Sequence, residues 1–121
     1  MTGWFTVQVE REACLIRLTM GGFFESMTIV KMRSDLIQAI SDLPCEANAH
    51  VTLCDIREMD IQTQERVGEF TKLVGGDAVR SRRLAFVTAK SLARMQAKRL
   101  TSRDGVEFFT DIVAAERWLN G

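Results

Sequence analysis

The sequence predicts an α/β fold: a single-domain mixed sheet of about five strands with four helices, in the order ββαβαβαβα. Three observations carry this expectation. The two opening segments alternate apolar and polar residues with period two. Two later segments are apolar on both faces, as in the covered centre of a sheet. Between strands, apolar residues recur every three or four positions, the helical spacing. Strands separated by helices favour parallel pairing through right-handed crossovers. A chain of 121 residues buries a full core as one domain, here 1–121, without covalent staples.

In WFTVQVE, residues 4–10, Phe5, Val7 and Val9 alternate with Thr6, Gln8 and Glu10, which predicts a half-buried strand. In CLIRLTM, 14–20, Cys14, Ile16, Leu18 and Met20 alternate with polar residues that include Arg17 and Thr19. The short polar link over 10–13 predicts an antiparallel hairpin. Gly21-Gly22 is expected to break the second strand, because glycine tolerates the positive φ of a sharp turn. A helix over about 25–43 follows from Ile29, Val30, Leu36, Ile37, Ile40 and Leu43, interrupted by Arg33. Pro44 steers the preceding residue away from helix and ends it.

VTLCDI, 51–56, predicts a buried strand. Val67, Phe70, Leu73 and Val74 place a helix over 63–74, closed by Gly75-Gly76. LAFVTA, 84–89, is another buried strand, and Ser91 is a candidate N-cap for a helix to about Ser102. Asp104-Gly105 reads as a turn and 106–109 as a short strand. Thr110 or Asp111 caps a last helix that packs Ile112, Ala115, Trp118 and Leu119.

Composition narrows the function classes. The chain is 46% hydrophobic and 26% charged with one proline, which is ordinary for a globular domain. It has no apolar run near the roughly 18 residues that span a bilayer and no basic-then-apolar leader, so a cytoplasmic, non-transmembrane protein is expected. Cys14, Cys45 and Cys54 are odd in number and contain no CxxC pair, which argues against a disulfide framework. His50 is the sole histidine and has no cysteine at ligand spacing; it reads as an ordinary residue entering a strand, and no metal or cofactor is expected. Tyrosine is absent and no nucleic-acid reader motif is present.

LCDIREMD, RRLAFVTAKSLARMQAKRL and VEFFTDIVAAERWL, in this element order, resemble the STAS-type domains shared by sulphate transporters and anti-sigma factor antagonists. The narrower likeness is to stand-alone bacterial STAS-like proteins. The resemblance implies a regulatory, protein-binding domain. In the antagonist branch it implies a switch serine, phosphorylated by a partner kinase, at the start of the helix after the central strand. Here that stretch reads MDIQTQE. Asp60 stands for the motif's Asp, Ile61 and Gln62 replace its serines, no glycine follows, and Thr63 is the nearby hydroxyl. Thr63 is therefore a candidate phosphoacceptor, and read from the residues alone it is an N-cap.

Asp55, Arg57 and Asp60 form a candidate contact edge at the carboxyl end of a central strand, where open α/β sheets bind ligands. They lack a histidine partner, and neither GxSxG nor a P-loop is present, so no catalytic set and no enzyme is expected. Charge is lopsided. Eight basic and no acidic residues lie between Arg80 and Arg103, against eight basic and sixteen acidic elsewhere. Arg94, Lys98, Arg99 and Arg103 form neighbouring i,i+4 stripes that make a candidate anion-binding patch or a solvated face.

Two functions follow as expectations. The first is a non-enzymatic STAS-like regulatory or protein-interaction domain with an unidentified protein partner. The alternative is a small-ligand or lipid-binding domain, with Phe23, Phe24, Met27, Met32 and Met95 around an apolar cavity between sheet and helices. A homodimer through the exposed face of the first hairpin is also compatible with the sequence.

Overall fold

The computed structural model describes residues 2–89 and 104–121, apart from the side chains of residues 74 and 75. Within them run β1 (Trp4–Glu10), β2 (Leu15–Gly22), α1 (Ser26–Ser41), β3 (Val51–Met59), α2 (Gln64–Gly75), β4 (Arg83–Val87), β5 (Val106–Phe109) and α3 (Ile112–Asn120). The described residues thus hold three helices where four were expected. The helix expected from Ser91 to Ser102 lies outside them, so the observed order is ββαβαββα. The five strands form one mixed sheet in chain order, with β1 antiparallel to β2 and every later neighbour parallel.

Strand alternation sorts the core into two layers. Ile16, Leu18 and Met20 of β2, Cys54 and Ile56 of β3 and Leu84 and Phe86 of β4 meet α1 and α2 through Ile29, Met32, Leu36, Phe70 and Leu73. On the opposite face Leu15, Val51, Leu53, Ala85 and Val87 meet Ala115 and Leu119 of α3. Arg17 ties this second face together, donating to Glu10 on β1 and to Glu116 on α3. Arg83, within the basic stretch, donates to the Trp118 carbonyl and stacks 5.2 Å over the Trp118 ring. That guanidinium holds α3 on the sheet.

Four sequence expectations need correction. Gly21-Gly22 does not break β2: both residues stay in the strand, paired with Glu58 and Met59 of β3. The Trp4 indole lies so close to Gly21 that a Cβ there would come within 2.5 Å of it. Glycine serves here for close approach, and the turn comes only at Gly22, where φ is 76°. β3 correspondingly runs on to Met59 rather than ending at Ile56. The register slips by one between Thr19↔Asp55 and Gly21↔Glu58, a bulge that re-aims the strand end. Cys14 is also not a strand residue. It closes the β1–β2 turn with φ 49°, and β2 begins at Leu15. On α1 the buried stripe is Ile29, Met32, Leu36 and Ala39, so Val30, expected inside, is 59% exposed.

His50 precedes β3, is 1% exposed, and its Nε2 has no hydrogen-bond partner among the described residues. Burial holds its pKa below the ordinary 6.5, because charging a desolvated imidazole is costly. The unfolded chain therefore binds this proton first as pH falls. The contribution of His50 is complete above the unfolded value and is lost progressively as pH drops below it, with a slope of up to about 1.4 kcal/mol per pH unit. Urea midpoints taken from pH 7.5 to 5.5 should fall for the wild type and flatten for His50→Gln. Parallel declines in both would remove His50 as the cause.

Candidate functional site

The carboxyl end of β3 and the amino ends of α1 and α2 meet at one tip of the sheet, and the residue that joins them is Gln62. It is 7% exposed. Its Nε2 donates to the Gly22 carbonyl at 2.9 Å and to the Asp60 carbonyl at 2.6 Å, and its Oε1 accepts from the Phe24 amide at 2.9 Å. The Asp60 amide adds a bond to the Gly22 carbonyl at 3.2 Å. The β2–α1 and β3–α2 connections are thereby clamped together by one amide side chain. The polar residue between Ile61 and Thr63 carries no sequence signal for this role, because both connections it bonds are set by tertiary structure.

The residues expected at this edge separate into distinct environments. Asp55 and Arg57 come together. Arg57 Nε and Nη2 donate to the two Asp55 oxygens at 3.0 and 2.7 Å, and the Arg57 amide donates to Oδ1 at 3.1 Å. Partial burial raises the Asp55 pKa, but the Arg57 side-chain and backbone hydrogen bonds outweigh it and leave the carboxyl below its ordinary value. A carboxylate held in a bidentate pair remains ionised and is a poor general acid. Asp55 also lies on the face opposite Cys54. The Cys54 thiol is buried, and burial followed by the Asp55 charge pushes its pKa far above the usual thiol range. It is correspondingly unreactive. Asp60 stands apart, half-buried at the tip beside Gln62.

Thr63 is exposed and caps α2, its Oγ1 accepting from the Arg66 amide at 3.2 Å. Ser26 at the start of α1 donates to Glu69 of α2 at 2.7 Å, and Arg66 pairs with the same carboxylate at 3.0 Å. Arg94, Lys98, Arg99 and Arg103, the expected anion patch, lie outside the described residues, as does Met95. Among the described residues no three His, Cys, Asp or Glu side chains are placed to hold a metal ion. No described helix is long and apolar enough to cross a membrane.

Around the Gln62 clamp, Phe23, Met27, Val30 and Ile61 are 49%, 73%, 59% and 45% exposed. Phe23 adjoins the Gly22 and Phe24 groups that Gln62 bonds, and Ile61 adjoins Gln62 itself. Met27 and Val30 share one face of α1. Beside them a groove of about 270 Å³ runs between α1 and α2, bounded by Ser26, Val30, Arg33, Glu69 and Lys72. Phe23 and Met27, expected as lining for an inner cavity, instead face outward.

An inner apolar cavity does exist between the sheet and α1/α2. It is lined by Leu18, Met20, Met32, Cys54, Phe70 and Phe86, among others, on the face away from Asp55, and encloses about 60 Å³. Engineered apolar cavities that take benzene are roughly 150 Å³, so this space holds no lipid chain as it stands.

No protein-family model and no curated protein matches the chain. Solved structures do match, and two of them follow. One is an uncharacterized protein from the DUF3478 family with a SpoIIAA-like fold from Shewanella loihica PV-4. It is 20% identical, with a TM-score of 0.71 over 98% of this chain and 94% of that one. The other is an anti-sigma factor antagonist from Mycobacterium paratuberculosis, 11% identical, with a TM-score of 0.63 over 98% of this chain and 96% of that one. From the mixed sheet, its helices and these two likenesses, the fold of this chain is the STAS-like, SpoIIAA-like fold.

Proposed function

We propose that this chain is a regulatory protein-interaction domain whose contact surface is the tip built around Gln62. The observation that carries the reading is the exposure of Phe23, Met27, Val30 and Ile61 beside a clamped, hydrogen-bonded frame. Apolar side chains in solvent next to a polar rim mark interaction sites. The antagonist-like fold supports a protein as the partner. Asp55–Arg57 and Asp60 enter the proposal as the charged border of the same strand end. Thr63 enters it as a phosphoacceptor candidate: its hydroxyl is exposed, and a phosphate there would lie against the free amides at the start of α2.

The test is co-purification of cross-linked complexes from the native cell with wild-type chain and with Met27→Asp/Val30→Asp. Both substitutions are on exposed positions, so the thermal melt should be unchanged, while capture of a reproducible protein partner falls at least tenfold. Equal capture by both chains would move the contact surface elsewhere. A partner whose binding responds to Thr63→Glu but not to Thr63→Ala would support the phosphoacceptor role. Self-association through Thr6, Gln8 and Glu10, exposed on β1, is the competing outcome. It would show as a concentration-dependent mass that Met27→Asp/Val30→Asp leaves intact.

A further inference from the structure

The three cysteines do not share one environment. Cys54 is 3% exposed in the core, whereas Cys14 and Cys45 are both part-exposed. Cys14 ends the β1–β2 turn and Cys45 follows the end of α1. These two segments are joined directly, because the Arg11 guanidinium donates to the Asp42 carbonyl. The turn is held in place by the Cys14 amide donating to the Arg11 carbonyl at 3.2 Å, and the Cys14 carbonyl accepts from Val51 at 2.9 Å. Cys14 itself occupies a left-handed backbone conformation, φ 49°, which non-glycine residues adopt at a cost and which clusters at functional positions. We propose that Cys14 and Cys45 are a redox modification site, converted by hydrogen peroxide into an intrachain disulfide.

The two thiols are neighbours across the Arg11–Asp42 link. Cys45 hydrogen-bonds the Cys14 sulfur, and this bond, followed by burial, holds the Cys45 pKa above the usual thiol value. Cys45 packs against the core beneath α1, whereas Cys14 sits on the turn outside that core, so Cys14 is the sulfur open to peroxide. In the first step the Cys14 thiolate attacks one peroxide oxygen, the O–O bond breaks, and the departing hydroxide takes a proton to become water. Cys14 is left as a sulfenic acid. In the second step the Cys45 sulfur attacks Cys14 Sγ, the S–O bond breaks, and hydroxide leaves with the Cys45 proton as a second water. Two thiols are oxidised to one disulfide, one peroxide is reduced to two waters, and no other reactant is needed. A cysteine pair of this kind is consistent with a reducing compartment, where disulfides are transient and redox-sensing.

The bond would enclose β2 and α1 in a loop of 32 residues counted from Cys14 to Cys45. By chain-entropy reasoning this raises the melting temperature by about 10 °C. The test uses the whole reduced chain, treated with hydrogen peroxide, quenched with an alkylating agent, digested and weighed. The expected result is a Cys14–Cys45 cross-linked peptide lighter by two hydrogens on most molecules, with Cys54 unmodified. A higher melting temperature should return to its starting value with dithiothreitol. Cys45→Ser should trap a sulfenic acid on Cys14 that a dimedone probe labels, and Cys54→Ala should leave the cross-link unchanged. Interchain bonds, a bond to Cys54, or over-oxidation of unlinked Cys14 and Cys45 would each overturn the proposal.

Discussion

Gln62→Leu should destabilise the fold by about 3 kcal/mol and lower the melting temperature by about 10 °C, although leucine is apolar, similar in size and placed at a buried position. The cause is the set of groups left behind. The Phe24 amide loses its acceptor, and the Gly22 and Asp60 carbonyls lose the donor they share. Removing one partner of a buried hydrogen bond costs the desolvation of the other, which is more than the net worth of the bond. Gln62→Glu separates this account from a packing account. It keeps an acceptor for Phe24 but turns an oxygen toward the Gly22 and Asp60 carbonyls. At neutral pH the buried carboxylate is repelled, so the variant should be less stable than Gln62→Leu. Its folded-state pKa is raised, the protonated acid can donate again, and stability should recover as pH falls toward 5. A Gln62→Leu urea midpoint equal to wild type, or a Gln62→Glu variant that does not recover in acid, would show that the clamp carries little of the tip's stability.

The clamp also bears on how this tip differs from a phospho-switch. An amide has no hydroxyl to phosphorylate, and a side chain 7% exposed is out of reach of a kinase. In MDIQTQE, Gln62 is an internal tie, and Thr63, one residue further on, is an exposed hydroxyl. A frame fixed by hydrogen bonds presents Phe23 and Ile61 in a defined geometry, which would lower the ordering cost of binding at the proposed surface.

Much of the fold was legible because it is written in local periodicity. The alternation of Phe5, Val7 and Val9, the apolar strands at 51 and 84, the short strand 106–109 and the Asp111 cap, which accepts from the Val113 amide at 3.1 Å, all depend on neighbours in sequence. What was not legible depends on distant neighbours. Gly21-Gly22 carries a turn signal, but the Trp4 indole and the β3 backbone claim Gly21 for the sheet. Helical spacing offered Val30 as core, yet Met32, two residues on, faces the sheet instead. Asp55 was recognised as a marked residue, while its bidentate pairing with Arg57 followed from β3 extending through both. Gln62 and the Cys14–Cys45 contact gave no local signal, since each joins segments about thirty or more residues apart.

Phe70→Ala should cost about 4 kcal/mol, within the range for a fully buried aromatic, and its distinguishing feature is that a small aromatic ligand should restore part of the loss. Phe70 is 3% exposed. It meets Phe24 edge-on at 5.3 Å between centroids, so it seats α2 against the residue whose amide Gln62 caps. It also lines the apolar cavity of about 60 Å³ under α1 and α2. Deleting a phenyl ring there enlarges an existing void rather than opening an isolated one, which brings it toward the roughly 150 Å³ that binds benzene. Surrounding atoms lose contacts they cannot regain without moving both helices. Benzene at millimolar concentration should therefore raise the Phe70→Ala melting temperature by a few degrees and leave the wild type unchanged, because the wild-type space is too small. The same comparison tests the carrier-like alternative. Stabilisation of the wild type by benzene or a short-chain lipid would mean that the cavity opens to admit ligands. Stabilisation of the variant alone would leave it a packing defect and direct attention to the outer tip around Gln62.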